Sequence, residues 1–286
     1  MRIVTDCAAD LQPEDVTSHG ITISPLYIQF PGEEVDARDL TPDQFYDRLA
    51  AMAPEIPFTA MPSPAEFGSI YRDLAKDGDD IMSIHLSLGL SGTGEAAQMA
   101  ADESPDLNVT VVDTATLAGG QRFQVLAAAM AVKAGWKNGA ILERLAQIRA
   151  QTEVVYTLET LKYLAKGGRI GRVAALAGSL LHIKPVIHVD RADGKYSTLG
   201  QARSLPKAMK KMVSHLVELY GDTPVWVVVQ HGRLVEEAEA MVKMLQESLT
   251  VSRMEVLRVS PILGVHTGPG IVGVGVIPMA LVEDLM

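Results

Sequence analysis

The sequence predicts an α/β protein built from two domains, and three observations support this fold class. Strand-like and helix-like segments alternate through the first half, as they do where helices join the strands of a parallel sheet. A hairpin-like turn at residues 192–195 indicates an antiparallel strand pair in the second half. The length of 286 residues fits one large or two medium domains. We expect a mostly parallel, doubly wound sheet with helices on both faces over residues 1–153, and a mixed sheet packed with helices over 154–286.

The first half contains a regular succession of elements. Apolar runs and alternating patterns predict strands at residues 2–5, 21–30, 80–87 and 108–113. Two helices begin at capping-box signals, Thr41-Pro42-Asp43-Gln44 and Ser63-Pro64-Ala65-Glu66. The second of them extends to about residue 76. Further helices are predicted near residues 95–100, 120–136 and 140–151.

The second half differs from the first in that the predicted strands outnumber the predicted helices. Strands are predicted at residues 154–158, 183–189, 196–201, 225–230, 253–259 and 271–277. Helices are predicted at 205–220 and 235–249, and a glycine-rich turn at 264–270 separates the last two strands. No Pro/Ser-rich linker marks the domain boundary near residue 153, so we expect the two domains to pack tightly.

Composition excludes several classes of function. With 25 Lys+Arg against 35 Asp+Glu, the formal net charge is −10, and no basic footprint for nucleic acid is present. The single cysteine, Cys7, excludes an internal disulfide framework; a buried small residue and a reactive thiol are both open for it. No signal peptide and no apolar run long enough to span a bilayer is visible. We therefore expect a cytoplasmic protein without a transmembrane segment.

Standard catalytic and cofactor motifs are missing from the sequence. It contains no P-loop, no G-x-S-x-G elbow, no H-E-x-x-H and no dinucleotide fingerprint after the first strand. The seven histidines are scattered, and none pairs with cysteine or carboxylates at metal-ligand spacing. We expect neither a cofactor nor a metal.

Polar residues at the ends of predicted strands are the candidates for a binding site. Ser91-Gly92-Thr93 follows a buried strand and begins a helix, where backbone N–H groups and the helix dipole favour an anion. Ser91 could instead serve only as a helix cap. Thr59 precedes an extended, proline-rich stretch and could present its hydroxyl outward, or be an ordinary loop threonine.

Two glycine-rich segments carry further candidates. Residues 166–172 place three cations, including Arg169, among three glycines, which suits either a planar anion or a basic helix C-terminus. His266 lies in the predicted turn at 264–270. There it could donate to a carboxylate or phosphate, shuttle a proton, or hydrogen-bond its own turn.

Taken together, these segments resemble the DegV family of bacterial fatty-acid-binding proteins. The opening T-D-C-A-A-D-L at 5–11 resembles the family's T-D-S-x-x-D-L, with Cys7 in place of serine. Residues 59–67 resemble T-S-Q-P-S-P-x-x-F, although Ala60 and Met61 replace S-Q, and L-S-G-T at 90–93 matches, with Leu88 and Gly94 departing from the pattern. The series is completed by residues 112–114 with 119–120, 157–170, and G-x-H-x-G-P-G at 264–270.

The resemblance implies a non-enzymatic protein that binds one long-chain fatty acid, such as palmitate, between two α/β domains. Its carboxylate would lie at the mouth of the site, hydrogen-bonded by Thr59, Ser91 and the Gly92 amide. His266 and Arg169 would lie near the same head group. In the family picture the bound acid is presented to a fatty acid kinase subunit for conversion to an acyl-phosphate, and Arg203 resembles a basic residue that engages this partner.

Two alternatives remain open from the residues themselves. Ser91 as nucleophile and His266 as base, with the helix N-terminus as oxyanion hole, would make an acyl hydrolase. The nucleophile elbow and an obvious residue to orient His266 are both missing for that reading. A carrier of another amphiphilic acid, such as a retinoid or an isoprenoid, is the second alternative.

Overall fold

Three β-sheets organise the protein in the computed structural model, which describes residues 1–179 and 183–286. The first sheet is parallel throughout, in the order β2-β1-β6-β7, with β1 at Arg2–Asp6, β2 at Thr22–Ser24, β6 at Ile81–His85 and β7 at Val109–Asp113. A small antiparallel sheet consists of β3 (Tyr27–Phe30), β4 (Glu33–Asp36) and β5 (Phe58–Ala60), with β3 in the middle.

The third sheet has six strands and is mixed. Its order is β10-β9-β8-β13-β11-β12, with β8 at Glu153–Leu158, β9 at Lys184–Val189, β10 at Tyr196–Ala202, β11 at Val225–His231, β12 at Val251–Arg258 and β13 at Ile271–Pro278. Only the β11–β12 pair is parallel among these neighbours. The predicted α/β class is thereby confirmed, as is the mixed sheet predicted for the second half of the chain. The division into domains at residue 153 stays a prediction.

Ten α-helices lie among the described residues: α1 (Pro13–His19), α2 (Pro42–Ala51), α3 (Pro64–Leu74), α4 (Thr93–Asp102), α5 (Ala118–Lys133), α6 (Asn138–Gln151), α7 (Lys162–Lys166), α8 (Leu205–Tyr220), α9 (Val235–Ser248) and α10 (Pro261–Thr267). The capping boxes predicted at Thr41 and Ser63 are both formed. In the described part of the chain, no helix is long and apolar enough to cross a membrane.

Helix α5 joins the two large sheets. Its side chains share one core with residues of β1 and β6 on one side and of β11 and β13 on the other. Gly119 and Gly120 bring its first turn against the six-stranded sheet, since a Cβ on Gly120 would lie 2.7 Å from Val154 Cγ2. Helices α8 and α9 cover the opposite face of that sheet. The cavity described below therefore lies between layers that pack against one another.

Two sequence predictions are wrong. The strand predicted at 21–30 is two strands in different sheets, separated at Pro25, which lacks the N–H that a continuous ladder requires. The turn predicted at 264–270 is mostly helix α10. Pro261 stands at its first position and Gly268, with φ +71°, ends it. His266 is thus a residue of helix α10 and not of a turn.

Candidate functional site

A cavity of about 440 Å³ lies where the three sheets meet. Its walls are mostly aliphatic, formed by Ala8, Leu26, Ala60, Met61, Leu86, Leu90, Leu117, Ile262 and Leu263 with the ring of Tyr196. The remaining lining residues are Thr59, Ser91, Gly92, Arg169 and His266. The five residues expected at a ligand head group are therefore brought to one cavity. A smaller cavity of about 30 Å³ adjoins it behind Leu117, Tyr196 and Leu263.

Thr59 and His266 form a hydrogen bond inside this cavity. Thr59 lies on β5, opposite Ile28 of β3, and its Oγ1 atom is 3.0 Å from Nε2 of His266 on α10. Burial, and secondarily the charge of Arg169, lowers the pKa of His266 to about 4. The imidazole is therefore neutral at physiological pH. Its Nδ1 atom is buried without a hydrogen-bond partner among the described residues.

Ser91 lies one residue before the N-cap of α4 and lines the cavity. Its Oγ atom lies 2.8 Å from the hydroxyl of Thr93 and accepts a 3.3 Å bond from the Thr93 backbone N–H at the start of α4. The same side chain faces the cavity. Gly92 is the N-cap residue of α4, and a Cβ there would lie 3.0 Å from the sulfur of Met61. The absence of a side chain thus keeps the α4 N-terminus close to the cavity.

Arg169 is the cation of residues 166–172 that lines the cavity. Its Nε donates to the Leu90 carbonyl at 3.3 Å and Nη1 donates to the Gly167 carbonyl at 2.8 Å. Lys166 instead lies over the ring of Phe58, and Arg172 pairs with Asp193. Two backbone carbonyls therefore hold the guanidinium in place without neutralising its charge.

Gly167 seats the His266 ring. A Cβ on this glycine would come within 2.2 Å of His266 Nδ1, so only glycine leaves room for the imidazole. Arg203, in contrast, is exposed between β10 and α8 and does not line the cavity. Its engagement of a partner stays a prediction.

Sequence reasoning missed a buried polar network beneath the cavity. Asp6 Oδ2 accepts hydrogen bonds of 3.0 Å from His85 Nδ1 and from the backbone N–H of Leu86, and Oδ1 accepts from the N–H of Ala8 at 3.0 Å. Gln121 Nε2 donates to Oδ1 at 3.1 Å. Because Ala8 and Leu86 line the cavity, this carboxylate fixes two parts of its wall.

The network continues away from the cavity. His85 Nε2 lies 2.7 Å from Ser83 Oγ, which accepts a 2.9 Å bond from the Tyr71 hydroxyl. Ser83 thus donates to Nε2, and the imidazole proton on Nδ1 faces Asp6. All four side chains are buried. The serine–histidine–aspartate order resembles a catalytic triad, but Ser83 and His85 on β6 and Asp6 on β1 are all fully buried within the parallel sheet, so we assign the network a structural role. The sequence did contain a signal for this network, because Ser83 and His85 interrupt the otherwise apolar strand predicted at 80–87.

The geometry bears directly on the hydrolase alternative. Ser91 bonds Thr93, whereas His266 bonds Thr59, so the proposed nucleophile and base have different partners. An imidazole with a pKa of about 4 is a weak general base. No described residue orients its second nitrogen.

The fold and this site define a class of protein, an α/β protein that encloses a mainly aliphatic cavity with a cluster of polar groups. The chain belongs to the DegV family, whose profile matches residues 1–279 and is described as an uncharacterised protein family. A DegV domain-containing protein of Deinococcus radiodurans is 36% identical over 282 residues, 97% of this chain and 98% of that one.

Solved structures show the same fold. A fatty-acid-binding DegV family protein from Thermus thermophilus has a TM-score of 0.90 at 30% identity, covering 97% of this chain and 100% of that one. A stearic acid-binding protein from Eubacterium ventriosum has a TM-score of 0.88 at 27% identity, with 97% and 98% covered. DegV of Bacillus subtilis, also a fatty-acid-binding protein, has a TM-score of 0.86 at 27% identity, with 97% and 98% covered.

Proposed function

We propose that this protein binds one long-chain fatty acid, with the carboxylate at the polar cluster and the acyl tail along the aliphatic walls. The observation that carries the proposal is the division of the cavity, in which the hydroxyls of Thr59 and Ser91 share one space with leucine and isoleucine side chains. The fatty-acid-binding relatives of similar fold support it.

The polar cluster suits a carboxylate because it offers donors. A carboxylate only accepts hydrogen bonds, so the Thr59 hydroxyl must donate to it and accept from His266 Nε2–H. Ser91 donates likewise, beside the positive end of the α4 dipole. Arg169 supplies a full charge at the edge of the cluster. A neutral His266 avoids placing a second cation, and a more deeply buried one, beside Arg169, and the desolvation of such a cation would be costly.

The tail supplies most of the affinity. An acyl chain of about 14 methylenes, at roughly 0.8 kcal/mol each, contributes about 11 kcal/mol before ordering costs are subtracted. The cavity volume of about 440 Å³ lies in the usual range for ligand pockets. We place the far end of the tail against Leu117, Tyr196 and Leu263, next to the smaller cavity.

Mass spectrometry of an organic extract of the gently purified protein tests this function. We expect about one equivalent of a long-chain free acid, and Ser91→Ala should retain less of it than wild type while the exposed control Ser248→Ala retains as much. If the extract contains a different amphiphilic acid, that acid and not a long-chain fatty acid is the class of ligand. An empty protein that takes up neither palmitate nor oleate would refute binding.

We further propose that the protein presents the bound acid to a fatty acid kinase catalytic subunit and is not itself a catalyst. The residues at the polar end, among them Thr59, Ser91 and His266, are only half-buried, which leaves that end open to a partner, and Arg203 is an exposed cation. The test is ATP-dependent formation of acyl-phosphate from bound palmitate with such a subunit. Arg203→Ala should slow it, whereas Lys243→Ala, an exposed cation on α9, should not. Hydrolysis of acyl esters that Ser91→Ala abolishes would contradict the non-catalytic role.

A further inference from the structure

A second cluster of polar side chains lies outside the cavity and has no part in the proposed lipid site. Glu153, His188 and His215 place one carboxylate oxygen and two imidazole nitrogens within 4.8 Å of one another. His188 Nδ1 is 3.0 Å and His215 Nε2 is 2.9 Å from the same atom, Glu153 Oε1. The three residues come from β8, β9 and α8.

The alternation of strand β8 separates this cluster from the cavity. Val154 and Tyr156 face the core that contains the cavity walls, whereas Val155 packs in the core beneath α8. Glu153 has the same parity as Val155, and His188 is the direct partner of Val155 in the ladder. The cluster therefore sits on the α8 side of the six-stranded sheet.

We propose that Glu153, His188 and His215 bind one divalent transition-metal ion of the zinc type. Two imidazoles and a carboxylate are a recurrent three-ligand set for Zn²⁺. At bond lengths of about 2.0–2.1 Å, tetrahedral ligand atoms stand roughly 3.3 Å apart. The two histidine nitrogens, 3.0 and 2.9 Å from Glu153 Oε1, need to move away from that oxygen by only a few tenths of an ångström, and all three atoms already lie within 4.8 Å of one another.

The surroundings of the cluster suit this role. The Glu153 side chain is 3% exposed, while His188 and His215 are 20% and 21% exposed, so one side remains open for entry and for a water ligand.

Arg191 is the charged neighbour that any cation would meet. Its Nη2 lies 2.8 Å from Glu153 Oε2, so it holds the carboxylate and leaves Oε1 for the metal. Partners of this kind orient metal-binding carboxylates in known sites. Its positive charge weakens the site, so we expect binding that a chelator reverses rather than a permanently held ion. The bound ion would tie α8 to β8 and β9.

The experiment titrates the chelator-treated, full-length protein with Zn²⁺ by calorimetry, and with Co²⁺ by visible absorbance. We expect one ion per chain, with Kd at least about tenfold weaker in His188→Gln and in His215→Gln. The double variant should lack the Co²⁺ band, while the control His19→Gln keeps it.

Palmitate uptake distinguishes a local effect from misfolding, since all these variants should bind it as wild type does. A wild-type protein that binds neither ion would overturn the proposal and leave a hydrogen-bonded carboxylate–histidine cluster. Unchanged Zn²⁺ stoichiometry and Kd in the double variant would overturn it equally.

Discussion

The Thr59 hydroxyl and His266 Nε2 lie 3.0 Å apart although 207 positions separate them in the chain. The bond joins the small antiparallel sheet to helix α10, and both residues line the same cavity. It gives the Thr59 hydroxyl a fixed direction, because an imidazole N–H that donates to the oxygen leaves the hydroxyl proton free to point at a ligand. The head-group site thus depends on the correct docking of two distant segments.

Thr59→Val should weaken fatty-acid binding. The substitution keeps the shape of the side chain but removes a hydrogen bond to a charged group, which costs about 1.5–3 kcal/mol, or roughly 10- to 100-fold in Kd. Displacement of a fluorescent fatty acid measures it. Thr59→Ser should restore most of the affinity, and the exposed control Thr223→Val should leave it unchanged. Equal Kd values for all three variants would remove Thr59 from the site.

The stability of the lipid-free protein should fall as the pH drops from about 6.5 to 4. His266 has a folded pKa of about 4, lower than its ordinary value of 6.5, so in this window the unfolded chain binds a proton that the folded protein does not. This loss in the free energy of unfolding reaches about 3 kcal/mol near pH 4 and vanishes above pH 6.5.

Urea unfolding of wild type and His266→Gln across this pH range isolates that contribution from those of other groups. The difference between the two free energies of unfolding should change with pH in the stated direction. Parallel curves would mean that His266 titrates normally in the folded state.

Gly167→Ala should impair binding without unfolding the protein. A methyl group there would come within 2.2 Å of His266 Nδ1, and displacing the ring breaks its bond to Thr59. We expect a loss of about tenfold in affinity, the effect of roughly one hydrogen bond. Gly139→Ala is the matched control, because nothing lies within 4 Å of its Cβ position. Wild-type affinity in Gly167→Ala would show that the ring can shift at no cost to the site.

Asp6→Ala should destabilise the whole fold. It would leave the His85 N–H and the backbone N–H groups of Ala8 and Leu86 buried without their acceptor. Removing one member of a buried charged network costs about 3–5 kcal/mol. Equilibrium unfolding in urea measures the loss, and the exposed control Asp106→Ala should stay within about 0.5 kcal/mol of wild type. A similarly small change for Asp6→Ala would show that water replaces the carboxylate.

The sequence predicted those elements whose formation depends on neighbouring residues alone. The capping boxes at Thr41 and Ser63 predicted the starts of α2 and α3, and the apolar run at 225–230 predicted strand β11. The failures at Pro25 and at residues 264–270 have one cause in common. A proline and several glycines are compatible with both a turn and an element boundary, and tertiary packing decided between them.

The candidate site was predictable as a set of residues but not as a geometry. Strand-end positions and motifs pointed to Thr59, Ser91 and His266, yet nothing local indicated that Thr59 pairs with His266 instead of His266 pairing with Ser91. The cluster of Glu153, His188 and His215 escaped entirely, since spacing rules detect polar groups on one element and these three residues lie on separate ones. Burial of Glu153 at the start of a strand carried no sequence signal.

Strand β8 cannot slip. Its alternate residues serve two unrelated surfaces, with Tyr156 toward the smaller cavity and Glu153 toward α8. Inserting or deleting one residue within this strand would exchange the faces of the strand residues beyond that point. A carboxylate would then enter the aliphatic interior or an aromatic ring would meet the histidines. Variation in length is consequently far more tolerable in the loops on either side of β8 than within it, and a single-codon indel there would disable both surfaces at once.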